Sequence, residues 1–414
     1  MRIKASLPGY RQIEIEVDSR RTVKDLKNAL CAQLHIETNL TNLLLNGEIL
    51  PEKSRISKLK GYGDSIIVDY IWARHLILWG DEGQRRIRSA TVLLAGAGAI
   101  GNEVSKNLSM LGLGRLFIVD RDVIELSNVS RMIFFEPSDL GKNKAEVLAE
   151  NVHKRYPFVE TSAYRGDLES MPLKLFLDSD VIVSGLDNLV SRIYLSQISR
   201  KYTIPLIDGG IMGLNARVQS YVSSDAACPI CIYPSSQYSS IVGLRNPCDA
   251  PLEQQTVPSF STSISLVSSI IAHEVIKIIL GIEEFRSAKK WPAKNGEPLA
   301  SVLFMDLKNN RYSLMPLNRN QTCLVCGKDG TTKSAVKRID LPLKKISGSA
   351  NLERSVRRAF GIQGKMTLFS ENETGERKID DKSKLRLRKG DYVKVIVEDQ
   401  KGDMNESICK ITHQ

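Results

Sequence analysis

The chain has 414 residues, which is too long for one typical core and indicates two to four domains. A hydrophobic content of 42% and a charged content of 25% are ordinary globular values. No apolar run reaches the roughly 18 residues needed to span a bilayer. The longest, "SISLVSSIIAHEVIKIILG" from Ser263, is interrupted by charged residues and predicts a buried helix, so no membrane partner is expected.

The net charge of +11 is unevenly distributed along the chain. From Lys333 to Gln414 there are 19 Lys and Arg against 12 Asp and Glu, which suits an acidic partner or nucleic acid. A solvated basic surface explains the same excess. No aromatic-interleaved basic stripe supports nucleic acid, so nucleic acid is not expected as a partner.

The seven cysteines indicate a reducing, cytoplasmic location, since the N-terminus lacks a signal-peptide core. Residues 1–72 are predicted to form a domain in which "RIKASL" and "QIEIEV" pair as a hairpin around Pro8 and Gly9. A helix capped by Thr22 follows, then a second hairpin with Asn46-Gly47 at its turn and a last strand, "SIIVDYI". This order resembles ubiquitin, a β-grasp fold. Because the chain runs on without a free Gly-Gly tail, we interpret the domain as a docking or regulatory module.

Residues 73–330 alternate strand and helix, which predicts an α/β, Rossmann-like domain with a mostly parallel sheet and helices on both faces. Residues 331–414 again suggest a β-grasp domain. In it, "AVKRIDLPL", "KMTLFS" and "DYVKVIVED" are strands, and "NLERSVRRAFG" is a helix stopped by Gly361.

A glycine-rich turn follows the buried strand "ATVLLA" and precedes a helix. Gly96, Gly98 and Gly101 form G-x-G-x-x-G, which lets the backbone and a helix N-terminus approach phosphate oxygens. Asp120 ends the next strand, where a carboxylate can accept ribose hydroxyl hydrogens. On this motif alone a nicotinamide or flavin enzyme is the obvious prediction, but a lone G-x-G-x-x-G is a weak signal.

The polar residues that follow favour adenylation instead. "VDRDVIELSNVSRMIF" is followed by Lys144, and "GLDN" supplies Asp187 at a strand end. Arg and Lys side chains can neutralise a triphosphate and its pyrophosphate leaving group, while a carboxylate holds Mg²⁺. A hydride-transfer site has little use for such a set.

Residues 74–281 resemble the ThiF/MoeB and ubiquitin-activating enzyme family. The glycines, the "DxDxVxxSNxxR" pattern, the spaced lysine and the "DN" occur in the family's order. The resemblance implies an ATP site in which Asp120 binds ribose, Lys144 contacts the phosphates and Asp187 holds Mg²⁺. It further implies a homodimer, since Arg74 matches the arginine that reaches into the partner's ATP site. The implied nucleotide-binding set is Gly96, Gly98, Ala99, Gly101, Asp120, Asp122, Ser127, Asn128, Arg131, Lys144, Asp187 and Asn188. The family usually has glycine where Ala99 stands, and we expect binding to tolerate the methyl group.

Two CxxC pairs, Cys228/Cys231 and Cys323/Cys326, can complete a tetrahedral S₄ shell for a structural Zn²⁺. A redox motif and unliganded thiols are the rival interpretations, and neither explains two pairs. Cys248 lies between the pairs in a polar loop and matches by position the transferring cysteine of short, single-chain activating enzymes. A loop thiolate can attack an acyl-adenylate. The alternative is an inert loop cysteine.

The resemblance implies an activating enzyme for a ubiquitin-like modifier ending in glycine, of compact, archaeal or prokaryotic type. ATP adenylates the modifier, Cys248 forms a thioester, and a conjugating enzyme recruited by the C-terminal domain receives the acyl group. In this reading Cys248, Arg74, Lys144 and Asp187 are catalytic. Two alternatives remain: adenylation of a sulfur carrier without a thioester, and a non-catalytic scaffold or nicotinamide-binding protein.

Overall fold

The computed structural model describes residues 2–59, 65–223, 225–234, 258–332, 334–342, 348–362, 364–379, 387–398 and 404–412. These residues fold as two compact units. The first comprises Met1–Ser89, Met110–Leu113 and Leu280–Gly296, and the second comprises Ala90–Ser109, Gly114–Ile279 and Glu297–Gln414. The first unit is therefore assembled from three separate stretches of chain.

The first unit contains the expected β-grasp sheet. Its elements are β1 (Arg2–Leu7), β2 (Arg11–Glu16), α1 (Val23–Leu34), β3 (Thr41–Leu45), β4 (Glu48–Ile49) and β5 (Ile66–Tyr70). The strand order is β2-β1-β5-β3-β4, with β1 and β5 parallel. Thr22 caps α1 as predicted, because its hydroxyl accepts from the N–H of Asp25 at 3.3 Å and the Asp25 carboxylate accepts from the N–H of Thr22.

Helix α2 (Ala73–Ser89) follows β5 after only two residues. Gly80 interrupts it with φ 76° and ψ 177°, so the helix consists of two segments. That φ value lies in the region that favours glycine.

The second unit is built on an eight-stranded sheet in the order β13-β12-β11-β10-β9-β6-β7-β8. The strands β10, β9, β6, β7 and β8 are mutually parallel, and β11 to β13 extend the sheet antiparallel, which confirms the mostly parallel α/β prediction. The strands are β6 (Thr91–Ala95), β7 (Arg115–Val119), β8 (Glu160–Tyr164), β9 (Val181–Ser184), β10 (Leu206–Met212), β11 (Asn215–Tyr221), β12 (Val302–Asp306) and β13 (Arg311–Met315). The helices are α3 (Ala99–Met110), α4 (Lys144–Arg155), α5 (Leu173–Leu177), α6 (Leu189–Tyr202) and α7 (Ser261–Ala288). The last residue of α3 and the residues of α7 from Leu280 onward belong to the first unit.

Helix α7 is the apolar helix predicted from Ser263. Within the described residues it is the one helix long and apolar enough to cross a membrane, and 67% of its most apolar window is buried inside the protein. Such burial is typical of a core helix, as the sequence predicts.

A second five-stranded sheet forms the C-terminal β-grasp region, in the order β14-β18-β17-β15-β16. Its elements are β14 (Lys337–Pro342), α8 (Ser349–Phe360), β15 (Met366–Asn372), β16 (Gly375–Lys378), β17 (Tyr392–Glu398) and β18 (Met404–Thr412). Gly361 ends α8 in the left-handed conformation, as predicted. Strands β16 and β18 were not predicted from the sequence.

This sheet packs against the α/β sheet's helices. Tyr392 and Ile408 share a core with Phe176 of α5 and Tyr202 of α6. The Tyr392 hydroxyl donates to the Asp178 carboxylate at 2.9 Å, and Glu406 accepts from Lys201 and Tyr202 at 2.7 Å each. The two sheets of the second unit are thus joined by buried apolar and polar contacts.

Candidate nucleotide and metal sites

The glycine-rich turn lies between β6, all of whose residues are buried, and the start of α3. A Cβ on Gly96 would stand 3.0 Å from the carbonyl oxygen of Gly185, and one on Gly101 would stand 2.1 Å from that of Gly96. Nothing lies within 4 Å of a Cβ on Gly98. Two glycines are therefore required by the fold itself, while Gly98 leaves room for a ligand.

Asp120 braces this turn from the end of β7. Its Oδ2 accepts from the N–H of Ala97 at 2.7 Å, and its Oδ1 accepts from the N–H of Asp122 at 2.8 Å. Burial raises the pKa of Asp120, although both N–H donors and nearby Lys144 act in the opposite direction. The residue predicted to bind ribose thus also holds the turn.

Lys144 lies next to Asp122, with 3.1 Å between Nζ and Oδ2, and its side chain is 13% exposed. Asn143 caps α4 and donates through Nδ2 to the carbonyl oxygens of Asp120 and Asp122, both at 3.1 Å. The capping asparagine therefore brings the start of α4 to the end of β7. Sequence reasoning missed Asn143, although an asparagine before an amphipathic helix is an N-cap signal.

The loop that carries Ser127, Asn128 and Arg131 is ordered by its own hydrogen bonds. Asn128 is buried and accepts from the N–H of Glu125 at 3.0 Å, and Arg131 donates to the carbonyl oxygen of Ser127 at 2.6 Å. Asn102 of α3, another residue missed, fixes this loop. Its side chain accepts from the N–H of Phe134 at 3.1 Å and donates to the carbonyl oxygen of Ala97 at 3.0 Å.

The residues after β9 adjoin the glycine turn, because the N–H of Gly185 donates to the carbonyl oxygen of Ala95 at 2.9 Å. Asp187 is exposed there. Asn188 caps α6, accepting from the N–H of Ser191 at 2.8 Å, so the structure gives this predicted ligand a structural role. Ala99, the departure from the family pattern, is the first residue of α3 and is half-buried.

A buried ion network missed from the sequence holds the Asp187 loop. Asp208 at 1% exposure pairs with Arg192 and with Arg217, the latter at 2.8 Å. Arg192 also donates to the carbonyl oxygens of Leu186 and Gly209. Two arginines share the single Asp208 carboxylate, and further donors of Arg192 bond to these carbonyl oxygens, so the network fixes the loop.

The two CxxC pairs meet as predicted. The Sγ atoms of Cys228, Cys231, Cys323 and Cys326 are all buried and lie within 4.8 Å of one another. The Cys228–Cys231 and Cys228–Cys323 distances are 3.9 and 3.7 Å, close to the separation of about 3.8 Å expected around zinc with Zn–S bonds of ~2.3 Å. The set fits a closed structural zinc site.

Two arginines lie beside this thiolate cluster. Arg200, 3% exposed, donates to the carbonyl oxygen of Thr332 at 2.8 Å and to the Tyr221 hydroxyl at 3.1 Å. Arg319 donates to the carbonyl oxygen of Cys326 at 2.7 Å. A tetrathiolate zinc centre has a net negative charge, and these cations offset it.

Two other predicted residues, Cys248 and Arg74, and the two remaining cysteines lie apart from these sites or outside the described residues. Cys248 lies outside the described residues. Arg74 lies on the exposed side of α2 in the first unit. Cys31 and Cys409 are buried in the two β-grasp cores, and burial raises the pKa of Cys409 to about 12.

Comparison with known proteins identifies the family. The ThiF family matches residues 72–325, more than half of the chain, and the Ubiquitin family matches residues 1–68. The chain belongs to the ThiF family. The resemblance to ThiF/MoeB and ubiquitin-activating enzymes is thereby confirmed, and the protein is an enzyme of the adenylyltransferase and E1-like class that uses ATP.

Several curated proteins are similar to this ThiF-family chain. The SAMP-activating enzyme E1 of Haloferax volcanii is 30% identical over 63% of this chain and 89% of its own length. The NEDD8-activating enzyme E1 catalytic subunit of Saccharomyces cerevisiae is 34% identical over 52% of this chain and 67% of its own length. The sulfur carrier protein adenylyltransferase of Thermus thermophilus is 27% identical over 62% of this chain and 89% of its own length.

Among solved structures, E. coli MccB with AMPCPP and MccA has the same fold over part of the chain. The match has a TM-score of 0.50 and 22% identity, and it covers 62% of this chain and 74% of MccB. This likeness concerns the fold alone.

Proposed function

We propose that this enzyme activates a ubiquitin-like modifier by adenylating its C-terminal glycine and then forming a thioester on Cys248. The observation that carries the proposal is the turn that leaves Gly98 open beside Asp120, with Lys144 paired to Asp122 at 3.1 Å. Two relatives named as activating enzymes for such proteins, from Haloferax and yeast, support this substrate class.

In the first step, a carboxylate oxygen of the modifier attacks the α-phosphorus of ATP. The bond from that phosphorus to the bridging oxygen breaks, and pyrophosphate leaves with the electron pair. Lys144 and Arg131 would neutralise the growing negative charge, while Asp120 accepts from ribose hydroxyls. Asp187 would hold Mg²⁺, which when bound supplies further charge neutralisation on the phosphates.

In the second step, the Cys248 thiolate attacks the carbonyl carbon of the acyl-adenylate, and AMP leaves. The thiol proton passes to solvent or a nearby base. A cysteine of a conjugating enzyme then accepts the acyl group by thioester exchange. The role of Cys248 rests on its position in the sequence, between the first CxxC pair and α7.

We further propose a homodimer in which Arg74 enters the partner's ATP site. Arg74 is exposed, and three apolar residues at helical spacing around it, Ile71, Ile77 and Leu78, are 53%, 53% and 63% exposed. An exposed apolar strip beside a cation suits burial against a second copy. Arg74→Ala and Lys144→Ala should each retain only low activity, and mixing the two proteins should restore part of it, whereas no recovery would contradict the arrangement.

The remaining expectations follow from the same assignment. Zinc is structural because four thiolates leave no open position. The protein acts in the cytoplasm, where free thiols persist, and it binds neither membrane nor nucleic acid. The basic C-terminal β-grasp domain recruits the conjugating enzyme.

The test is modifier-dependent exchange of pyrophosphate into ATP. Lys144→Ala should lower the exchange rate by about 10²–10³-fold, the scale of a lost charge-stabilising contact. Lys142→Ala is the matched control, since Lys142 pairs with Asp139 on the adjacent surface and should change the rate less than about twofold. Equal losses in both variants would refute the phosphate role of Lys144.

A second candidate, adenylation of a sulfur carrier without a thioester, is favoured by the similarity to the Thermus adenylyltransferase. Non-reducing gels with ATP, Mg²⁺ and the modifier separate the two functions. An adduct that thiols cleave and that disappears in Cys248→Ala supports the thioester. Exchange with a sulfur carrier that never yields such an adduct supports the alternative.

A further inference from the structure

The hairpin turn of the N-terminal β-grasp domain lies at the break in helix α2. Gly80 separates α2 into a first segment, which carries Arg74, and a second segment that begins at Asp81. A helix break leaves N–H groups of the new first turn without intrahelical acceptors, so the direction of each segment depends on what satisfies them.

Tyr10 satisfies the new segment's first residue. Its hydroxyl donates to Oδ1 of Asp81 at 2.9 Å and accepts from the N–H of Asp81 at 3.2 Å. The preceding Gly9 lies against the first segment, where a Cβ would stand 2.8 Å from Cδ1 of Ile77. One turn of the β-grasp domain therefore contacts the residues on both sides of the break.

The same domain also holds the far end of α2. Glu37, which follows α1, pairs with Arg88 at 2.9 Å and accepts from the Tyr70 hydroxyl at 2.6 Å. The Arg88 guanidinium lies 5.1 Å from the centroid of the Trp72 ring. Because only two residues join β5 to α2 and Trp72 is buried, the domain has no linker on which to move independently of α2.

We propose that the N-terminal ubiquitin-like domain is a positioning device for adenylation: through Tyr10 and Gly9 it sets the direction of the α2 segment that presents Arg74 to the partner subunit. The inference rests on the proposed function for the role of Arg74. Tyr10 acts through α2 and touches no substrate. The domain thus helps to position Arg74 for catalysis, in addition to any docking it performs.

A double-mutant cycle tests the coupling in the full-length enzyme. Tyr10→Phe keeps the ring and removes the hydroxyl, and should lower kcat of modifier-dependent pyrophosphate exchange about tenfold with little change in the KM for ATP. In an Arg74→Ala background it should lower kcat less than about twofold, since the group it positions is gone. Equal losses in both backgrounds overturn the inference.

The matched control is Tyr156→Phe, which removes one hydroxyl that accepts from Arg155 at 3.3 Å in the second unit and should leave kcat unchanged. A large effect of Tyr10→Phe on KM alone would also overturn the positioning role.

Hydrogen exchange measures the same coupling and does not depend on enzymatic activity. Tyr10→Phe should speed amide exchange at residues 75–79 about tenfold and leave α3 unchanged. Unchanged exchange at residues 75–79 overturns the inference even if the enzyme is active. Absence of pyrophosphate exchange in the unsubstituted enzyme would instead refute the proposed function. Hydrogen exchange would still decide whether Tyr10 holds the first segment of α2.

Discussion

The three glycines of the nucleotide turn differ in what their missing side chains permit. Gly101 brings its backbone so near the carbonyl of Gly96 that no Cβ fits, whereas the space at Gly98 is open. The G-x-G-x-x-G motif therefore combines two requirements. Packing requires a glycine at Gly101, and ligand access favours one at Gly98.

Substituting each glycine by alanine should separate these demands. Gly101→Ala should destabilise the protein by about 1–3 kcal/mol or more because of overpacking. Gly98→Ala should change the free energy of unfolding by less than about 1 kcal/mol. It should nonetheless weaken ATP binding by about tenfold, since the methyl group occupies the approach to the backbone. Urea unfolding and ATP titration measure the two effects, and wild-type ATP affinity in Gly98→Ala would contradict the assignment.

Asp81 should report on the Tyr10 contact through its acidity. Burial acts to raise its pKa, but the Tyr10 hydroxyl and the N–H groups of Asp81 and Glu82 outweigh it and lower the pKa below the ordinary 3.8. A lowered folded-state pKa adds stability above the unfolded value, and this stability is lost as pH falls through the folded value. Carboxyl ¹³C NMR should show a higher Asp81 pKa in Tyr10→Phe; an unchanged value would count against the bond.

At the scale of elements, the cysteine cluster joins the turn after β11 to the segment after β13. Cys323→Ser should abolish stoichiometric zinc and lower the melting temperature by roughly 5–15 °C, because a structural metal binds only the folded chain. Cys31→Ala is a suitable control, since Cys31 is buried in the other unit. Zinc released on denaturation and calorimetry give the two quantities, and full zinc retention in Cys323→Ser would refute the site.

Elements with local signals were predictable, and those defined by distant partners were not. The CxxC pairs, the glycine turn and the capped helix α1 can each be recognised from a pattern of a few consecutive residues. Strand β18 was not predicted because the charged and polar residues at its start obscure the alternation of apolar and polar residues. The carboxylate of Glu406 accepts from Lys201 and Tyr202 of α6, which are far away in the sequence. The Asp208 network was missed for the same reason, since its arginines lie on other elements.

At the scale of the whole molecule, the C-terminal β-grasp sheet is fastened to α5 and α6. Removing the buried Tyr392 hydroxyl, which bonds to Asp178 and to the carbonyl of Leu177, should destabilise this contact by about 1–3 kcal/mol. Tyr392→Phe should therefore unfold at lower urea and be cleaved faster near residues 331–336. Tyr312→Phe, on an exposed edge strand, should match the unsubstituted protein. If the unsubstituted protein, Tyr392→Phe and Tyr312→Phe were cleaved at the same rate, the Tyr392 contact would not limit the rate of cleavage.

The first unit's three separate stretches have a consequence for biosynthesis. Arg86 donates to the carbonyl oxygen of Leu280 at 3.2 Å, so the unit that contains the ubiquitin-like domain includes a segment made 191 residues after Ser89. At translation rates of about 5–20 residues per second, the ribosome adds that segment roughly 10–40 s later. The β-grasp strands can form early, but α2 cannot gain its last contacts until most of the second unit has been synthesised.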